Sequence, residues 1–332
     1  MNKLSVFWIY LLFTGTVFAQ EEAIYLEGSA QGTTYHIQYF DVKNRNLQKD
    51  IERLLERFDA SVSTYQPNSL ISKINHNEKY GRIDDYFNTC FLQAKEIWKL
   101  TDGAFDPTVY PLVNAWGFGP EKKSNLEQEK LDSILTFVGF DKIELKRRRI
   151  VKSDPRVSLD FNAFAQGYSV DLVSALLLSK GITSFVVEIG GEVYAHGERD
   201  GLPWYIGLEQ PIENKTSVNP LNIIFQLENI GVATSGNYRR FTLENGVKVV
   251  HHIDPKTGKP TSNELLSASV FTDHCIYSDA LATAILVMGL EKAKEFLAVH
   301  PEIQAYLIYS DAAGKCQVYI TPKLIDWIAD EQ

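Results

Sequence analysis

The chain has 332 residues, 45% of them apolar and 23% charged, with 21 Gly and 12 Pro. That balance excludes a disordered, collagen-like or low-complexity protein. Its 33 Lys and Arg against 42 Asp and Glu leave a formal charge of -9, which excludes general nucleic-acid binding because that depends on a positive surface.

Met1 to Lys3 supply a short positive start, and Leu4 to Phe18 is an uncharged apolar run. The run is about 15 residues, short of the roughly 20 that span a bilayer. Val17-Phe18-Ala19 then places a β-branched and a small residue where a signal peptidase reads. Residues 1–19 are therefore expected to be a cleaved secretory signal, and residues 20–332 a single domain. No Cys follows the run, which argues against a lipoprotein anchor, and no later stretch is long and apolar enough to cross a membrane. The expected product is soluble and exported.

Ala23 to Ser29 and Thr33 to Phe40 alternate apolar and polar residues and read as paired strands around Gln31-Gly32. Leu47 to Phe58 has helical spacing, and Asp84 to Leu100 reads as a second helix ended by Asp102-Gly103. Leu126 to Val138 predicts a third helix. Ile143 to Lys152 predicts two short strands joined by Lys146 to Arg149, a basic run read as a solvated turn. Leu172 to Leu178 is the apolar part of a further helix closed by Gly181. Strands are expected at 184–189, 204–208, 223–227, 248–253, 267–272, 304–309 and 317–320, and helices at 277–288 and 290–299. Several strand pairs have only tight turns between them. The expected fold class is α+β, with mixed or antiparallel sheets flanked by helices rather than a doubly wound parallel sheet.

Six short polar islands carry the unusual composition. Thr101 to Val109 follows a helix; Gly103 suits the C′ position and Pro107 stops the helix. A cap plus loop explains it, and so does a loop that stacks on a planar ligand. Asp160 to Tyr168 joins an expected strand, Val157 to Leu159, to a helix whose free N–H groups suit an anion. Asp160 reads there as a cap or a ligand contact. Gly190-Gly191 allows a bulge or a close backbone approach. Ala233 to Arg240 offers hydroxyls, a glycine and two cations, a phosphate-facing set or a polar hairpin. His251 and His252 end a strand before the turn Asp254-Pro255, so their side chains are expected on opposite faces. Asp279 and Thr283 are four apart and share a helix face. A cap with a back-bonded Thr satisfies them, and so does a hard cation.

Taken jointly, these pieces resemble the FAD:protein FMN transferases, the ApbE-like flavin-trafficking enzymes. The family-like segments run in order: Gly32-Thr33-Thr34-Tyr35; Ser63-Thr64-Tyr65; Gly103 to Val109; Asp160 through Gly167 to Asp171; Ile189 to Glu192; Ala233 to Tyr238; His251 with Asp254-Pro255; and Ser278 to Thr283. The resemblance implies an ApbE-like, T-fold-like architecture, and it implies an enzyme that binds FAD and Mg²⁺ and transfers FMN to a Thr hydroxyl of a target protein, releasing AMP. The Mg²⁺ ligands would be Asp279, Thr283 and the Ala163 carbonyl. FAD contacts would fall on Gln31, Tyr65, Ala104, Phe105, Asp106, Asp160, Gln166, Thr234, Ser235, Gly236 and His251. His251 would be the base acting on the target hydroxyl, and His252 is given no role. Three positions depart from the family pattern: Gln31 stands where Met is common, Asn162 replaces Gly or Ser, and Gln166 replaces Lys or Glu. The partner would be an exported or membrane-associated redox subunit, and the location the periplasm of a Gram-negative bacterium, including the inner-membrane surface. An FAD pyrophosphatase and a non-catalytic exported flavin-binding protein are the alternatives. The three cysteines, Cys90, Cys275 and Cys316, have no zinc-site spacing, and separation along the chain does not decide whether Cys275 and Cys316 pair.

Overall fold

The structure, a computed structural model, describes residues 22–119, 126–199, 201–208, 223–237, 241–244 and 247–329. The expected signal, residues 1–19, and the cations Arg239 and Arg240 lie outside the described residues.

The strands are β1 (Ala23–Ala30), β2 (Thr33–Phe40), β3 (Ile143–Lys146), β4 (Arg149–Lys152), β5 (Phe185–Ile189), β6 (Glu192–His196), β7 (Trp204–Leu208), β8 (Ile223–Leu227), β9 (Ile230–Gly236), β10 (Phe241–Glu244), β11 (Val247–Val250), β12 (Leu265–Thr272), β13 (Gln304–Ser310) and β14 (Cys316–Ile320). The helices are α1 (Gln48–Val62), α2 (Leu70–Asn75), α3 (Asp85–Leu100), α4 (Tyr110–Trp116), α5 (Gln128–Leu135), α6 (Ala165–Ser179), α7 (Cys275–Met288) and α8 (Leu290–Val299). The main sheet has the order β1-β2-β5-β6-β9-β12-β13-β14, and every neighbouring pair in it is antiparallel. The α+β expectation holds, on the antiparallel side of it.

Tight turns set the register at the functional end of the sheet. Gln31 and Gly32 have φ of 53° and 76°, so Ala30 pairs with Thr33 across a two-residue turn of the hand that matches strand twist. Gly190 and Gly191 have φ of 72° and 109° and do the same between Ile189 and Glu192. This pair is a hairpin turn rather than a bulge.

Period-2 alternation then divides the apolar residues. On β13, Ala305 and Leu307 face the helical core, whereas Tyr306 and Ile308 join Phe225, Phe271 and Leu324 on the other face. The β7–β8 hairpin, with Trp204 and Phe225, covers that second face. Helix α7 is apolar nearly all round and accordingly buried, with Ala280, Leu281, Ala282, Ala284, Ile285 and Leu286 in the core.

Four expectations change. Val157 to Leu159 forms no strand; Asn75 takes the place of one, its side chain accepting the Leu159 N–H at 2.8 Å and donating to the Leu159 carbonyl at 2.8 Å. The C′ residue of α3 is Asp102 (φ 48°) and Gly103 follows it, its N–H reaching the Trp98 carbonyl at 2.8 Å. That is a Schellman-type end shifted by one residue. The basic run is a turn at Arg147 and Arg148, but Arg148 is not merely solvated: it donates to the Ile83 carbonyl at 3.1 Å and to Asp85 at 2.7 Å. Finally, β11 ends at Val250, so the rings of His251 and His252 are not forced apart; their centroids lie 3.9 Å from each other. Among the described residues no disulfide forms, and Cys275 and Cys316 do not pair.

Leu159 is fully buried, so losing the Asn75 amide strands a buried N–H and a buried carbonyl. Asn75→Ala is expected to lower the unfolding free energy by about 2 kcal/mol, read as a lower denaturant midpoint at an unchanged slope.

Candidate functional site

The site is built where α6 and α7 cross. Neither helix has a side-chain cap of its own: the N-cap residues are Phe164 and His274. The first amides of a helix have no partner within it, so each helix borrows one from the other. The Gly167 N–H donates to Asp279 Oδ2 at 3.0 Å. The Cys275 and Ile276 N–H groups donate to Asp171 Oδ1 and Oδ2 at 2.8 and 2.9 Å. Contact this close requires glycine, since a Cβ on Gly167 would sit 2.4 Å from the Cys275 carbonyl oxygen.

Asp279 is 7% exposed. Burial, with the nearby Glu192 carboxylate adding to it, pushes its pKa well above the ordinary range, against the pull of the Gly167 N–H. One turn on, Thr283 shares a 3.2 Å hydrogen bond with Ser235 of β9, and the adjacent Thr234 shares one of 2.8 Å with Ser269. Ala163 lies in the turn Phe161 to Ala165, four residues before Gly167. Asp279 and Thr283 therefore lie on α7, and Ala163 in the turn that leads into α6.

The donor set suits a hard cation. A carboxylate, a hydroxyl and a main-chain carbonyl are all oxygens, the ligands of Mg²⁺ and Ca²⁺. Among the described residues no three His, Cys, Asp or Glu side chains gather at a metal-sized site, so a cation would rely on this mixed set. A buried carboxylate beside a second acid also needs a positive charge to remain ionised.

The remaining expected contacts divide into two groups. Gln31, at the β1–β2 tip, donates to Ser169 Oγ at 2.6 Å and to Asp59 at 3.2 Å, which docks the hairpin on α6 and α1. Gln166 lies beside the Gly190 turn, its Nε2 2.6 Å from where a Gly190 Cβ would be. Thr234, Ser235 and Gly236 end β9 next to Thr283. Tyr65 is 62% exposed. Asp160 is buried and accepts the Asn162 N–H at 2.8 Å; burial pushes its pKa from 3.8 up to about 6. Asn162 in turn donates to Thr64 at 3.2 Å, tying this turn to the loop of Tyr65.

The second group is occupied structurally. Phe105 is buried, and its ring packs against Phe164, centroids 5.5 Å apart. Asp106 accepts the Thr108 N–H and hydroxyl at 2.8 and 2.6 Å and the Phe140 N–H at 3.0 Å. Its side chain holds the loop, which leaves the half-buried stretch at Gly103 and Ala104 to face outward. His251 packs edge-on to Phe118 at 6.4 Å. His252 is buried and shares a 2.8 Å hydrogen bond with Asn237 Oδ1. Asn237 is fixed by donating through Nδ2 to the Leu265 carbonyl at 3.1 Å, so His252 is the donor through Nδ1, and burial keeps its pKa well below the usual value. The residues that sequence reasoning missed are these supports: Asn75, Asp59, Ser169, Asn237 and the partner role of Asp171. None has a local signature; each acts on an element distant in the chain.

Residues 31–307 match the model of the ApbE family. The chain belongs to the ApbE family. It is 36% identical to the FAD:protein FMN transferase of Vibrio cholerae over 281 residues, 82% of this chain and 83% of that one. It is also 36% identical to the FAD:protein FMN transferase of Haemophilus influenzae over 304 residues, 87% of each. Among solved structures, the flavin transferase ApbE from Vibrio cholerae aligns with a TM-score of 0.82 at 32% identity, over 92% of this chain and 99% of that one. The apo flavinyl transferase ApbE of Pseudomonas stutzeri aligns with a TM-score of 0.84 at 28% identity, over 95% and 99%. The ApbE relatives are enzymes, and so is this chain.

Two predictions follow from the packing of this ApbE-family site. The pKa of Asp160 is raised in the folded state, so its contribution to stability is present below the ordinary carboxylate range and is lost as pH rises through about 6. Between about pH 4 and about pH 7 the metal-free wild type should lose about 2.5 kcal/mol more unfolding free energy than Asp160→Asn, measured by denaturant titration at each pH. Gly167→Ala gains about 1 kcal/mol of helix propensity but forces the α6–α7 contact apart at a typical overpacking cost of about 1–3 kcal/mol. The net result expected is a lower melting temperature.

Proposed function

We propose that the protein transfers the FMN moiety of FAD to a Thr hydroxyl of a target protein and releases AMP, with Mg²⁺ held by Asp279, Thr283 and the Ala163 carbonyl. The observation that carries this reading is the buried Asp279 carboxylate with the Thr283 hydroxyl one turn on at the α6–α7 crossing, in a chain whose relatives are named FAD:protein FMN transferase. When bound, the cation neutralises charge on the diphosphate. In the reaction, the Thr oxygen bonds to the phosphorus on the FMN side, the bridging P–O bond breaks, and AMP leaves with the bridging oxygen.

The chain's own residues bind and orient. Thr234, Ser235 and Gly236 present hydroxyls and backbone beside Thr283, suited to phosphate oxygens. Gln31 and Gln166 line the hairpin end of the site with amides rather than the Met and the charged residue common in the family, and Tyr65 offers an exposed ring for stacking. His251 accepts the Thr proton as general base. Its neighbour His252, buried and tied to Asn237, holds the segment that carries it.

We further infer export through residues 1–19 and a target in the periplasm of a Gram-negative bacterium, an exported or membrane-associated redox subunit. No helix among the described residues is long and apolar enough to cross a membrane, which is compatible with a protein that meets its target outside the bilayer.

The test is incubation of the protein with FAD, Mg²⁺ and a Thr-containing acceptor domain, followed by intact-mass analysis of the acceptor. A covalent FMN adduct that needs the acceptor Thr is expected, and chelation of the divalent ion should abolish it. Free FMN and AMP with an unmodified acceptor would instead establish a pyrophosphatase. Asp279→Ala should slow adduct formation at least about 100-fold, the loss of several kcal/mol of charge stabilisation; an unaffected rate would remove the metal assignment. His251→Ala should cost about 100-fold or more, with a loss of the acidic limb of the pH–rate profile.

A further inference from the structure

We propose that Asp171 is a positioning residue for Asp279, and that the two carboxylates form one reciprocal clamp which sets the cation site. The proposal rests on the Mg²⁺ reading above and adds a residue to it. Asp171 lies four residues after Gly167 on α6, and Asp279 four residues after Cys275 on α7. Each carboxylate therefore stands one helical turn beyond the amide that it receives help with from the other helix. Asp279 accepts from Gly167 at 3.0 Å, and Asp171 accepts from Cys275 and Ile276 at 2.8 and 2.9 Å.

The amides of the first turn of α7 are all accounted for. Cys275 and Ile276 donate to Asp171, and the Tyr277 and Ser278 N–H groups donate to the His274 carbonyl at 3.1 and 3.3 Å. Nothing on α7 itself substitutes for Asp171, since its N-cap makes no side-chain bond. A negative charge there also complements the positive end of the helix. Removing the Asp171 carboxylate frees the α7 N-terminus, and the first side chain one turn along is Asp279. Its Oδ2 is engaged by Gly167, which leaves Oδ1 for a cation. A shift of α7 along α6 therefore misdirects the ligand oxygen before it disrupts the core.

The apolar core gives the control. Val173 is also on α6 and fully buried, and it belongs to the apolar cluster of Leu55, Phe185, Val187 and Cys275 without a polar group that could bond the α7 amides. Mn²⁺ is titrated, with electron paramagnetic resonance detection, into the full chain with FAD present and acceptor absent, for wild type, Asp171→Asn, Val173→Ala and Asp279→Ala. Asn at 171 keeps the shape but offers one acceptor where two are needed. Asp171→Asn should weaken Mn²⁺ binding about 10- to 100-fold, the usual cost of losing a support behind a metal ligand. Val173→Ala should lower the melting temperature and leave Mn²⁺ affinity unchanged.

Wild-type affinity in Asp171→Asn, or an equal loss in Val173→Ala, overturns the clamp while leaving the metal reading intact. Absence of Mn²⁺ binding in the wild type overturns the metal reading and the clamp together. If Asp171→Asn does not fold, hydrogen exchange on the wild type decides. Adding Mg²⁺ and FAD should slow exchange at the Gly167, Cys275 and Ile276 amides, and unchanged exchange at Cys275 and Ile276 overturns the proposal.

Discussion

Helices α6 and α7 meet at a glycine, and their contact is paid in hydrogen bonds rather than in apolar area alone. A Cβ at Gly167 would collide with the Cys275 carbonyl. The absence of that Cβ lets the Asp279 carboxylate reach a backbone amide of α6, while Asp171 reaches two amides of α7. Buried N–H groups need partners, and here the partners are acids on the opposing helix. The antiparallel sheet serves this contact: β9 and β12 form the floor under α7, and β5 and β6 the floor under α6.

The same arrangement concentrates negative charge. Asp279, Glu192 and Asp160 are buried, and Asp171 is half-buried beside them. Burial pushes Asp171 and Asp160 up to about 6 and raises Asp279 well above the ordinary carboxylate range. For a protein with only folding to achieve, this is an expensive choice, because apolar packing of the same volume stabilises more. On the proposed reading, a divalent cation and an anionic diphosphate would offset it, since the ion reverses the local field. On that reading stability and function are opposed at this point of the fold, which would account for acids among otherwise apolar helices.

Irregular segments are held by amide side chains acting as substitute backbone. Asn75 supplies both a donor and an acceptor to Leu159, and Asn237 anchors His252 to the start of β12. Asp106 does comparable work for the loop before α4 by binding Thr108 and Phe140. These bonds fix three irregular segments of very different chain position, around residues 105, 159 and 252, without regular structure between them. A carboxamide matches the peptide group in geometry, so it can finish a ladder where no strand is available.

Much of this was readable from residue order. Alternation marked β1 and β2, helical spacing marked α1 and α3, and the all-apolar stretch after Ser278 marked a buried helix, because those periods follow from backbone geometry and burial. The spacing of Asp279 and Thr283 placed both on one face, and the family-like islands pointed to the chemistry. Short elements such as α2, α4 and β6 were not read, since one or two turns of helix, or five residues around a glycine pair, carry too few periods to stand out. The pairings across the molecule were invisible as well: Gly167 with Asp279, Asp171 with Cys275, Asn75 with Leu159, and the adjacent rings of His251 and His252. Chain order determines which residues share a face of one element. Which element an acid or an amide then bonds to depends on distances set by packing, and only the folded structure contains those distances.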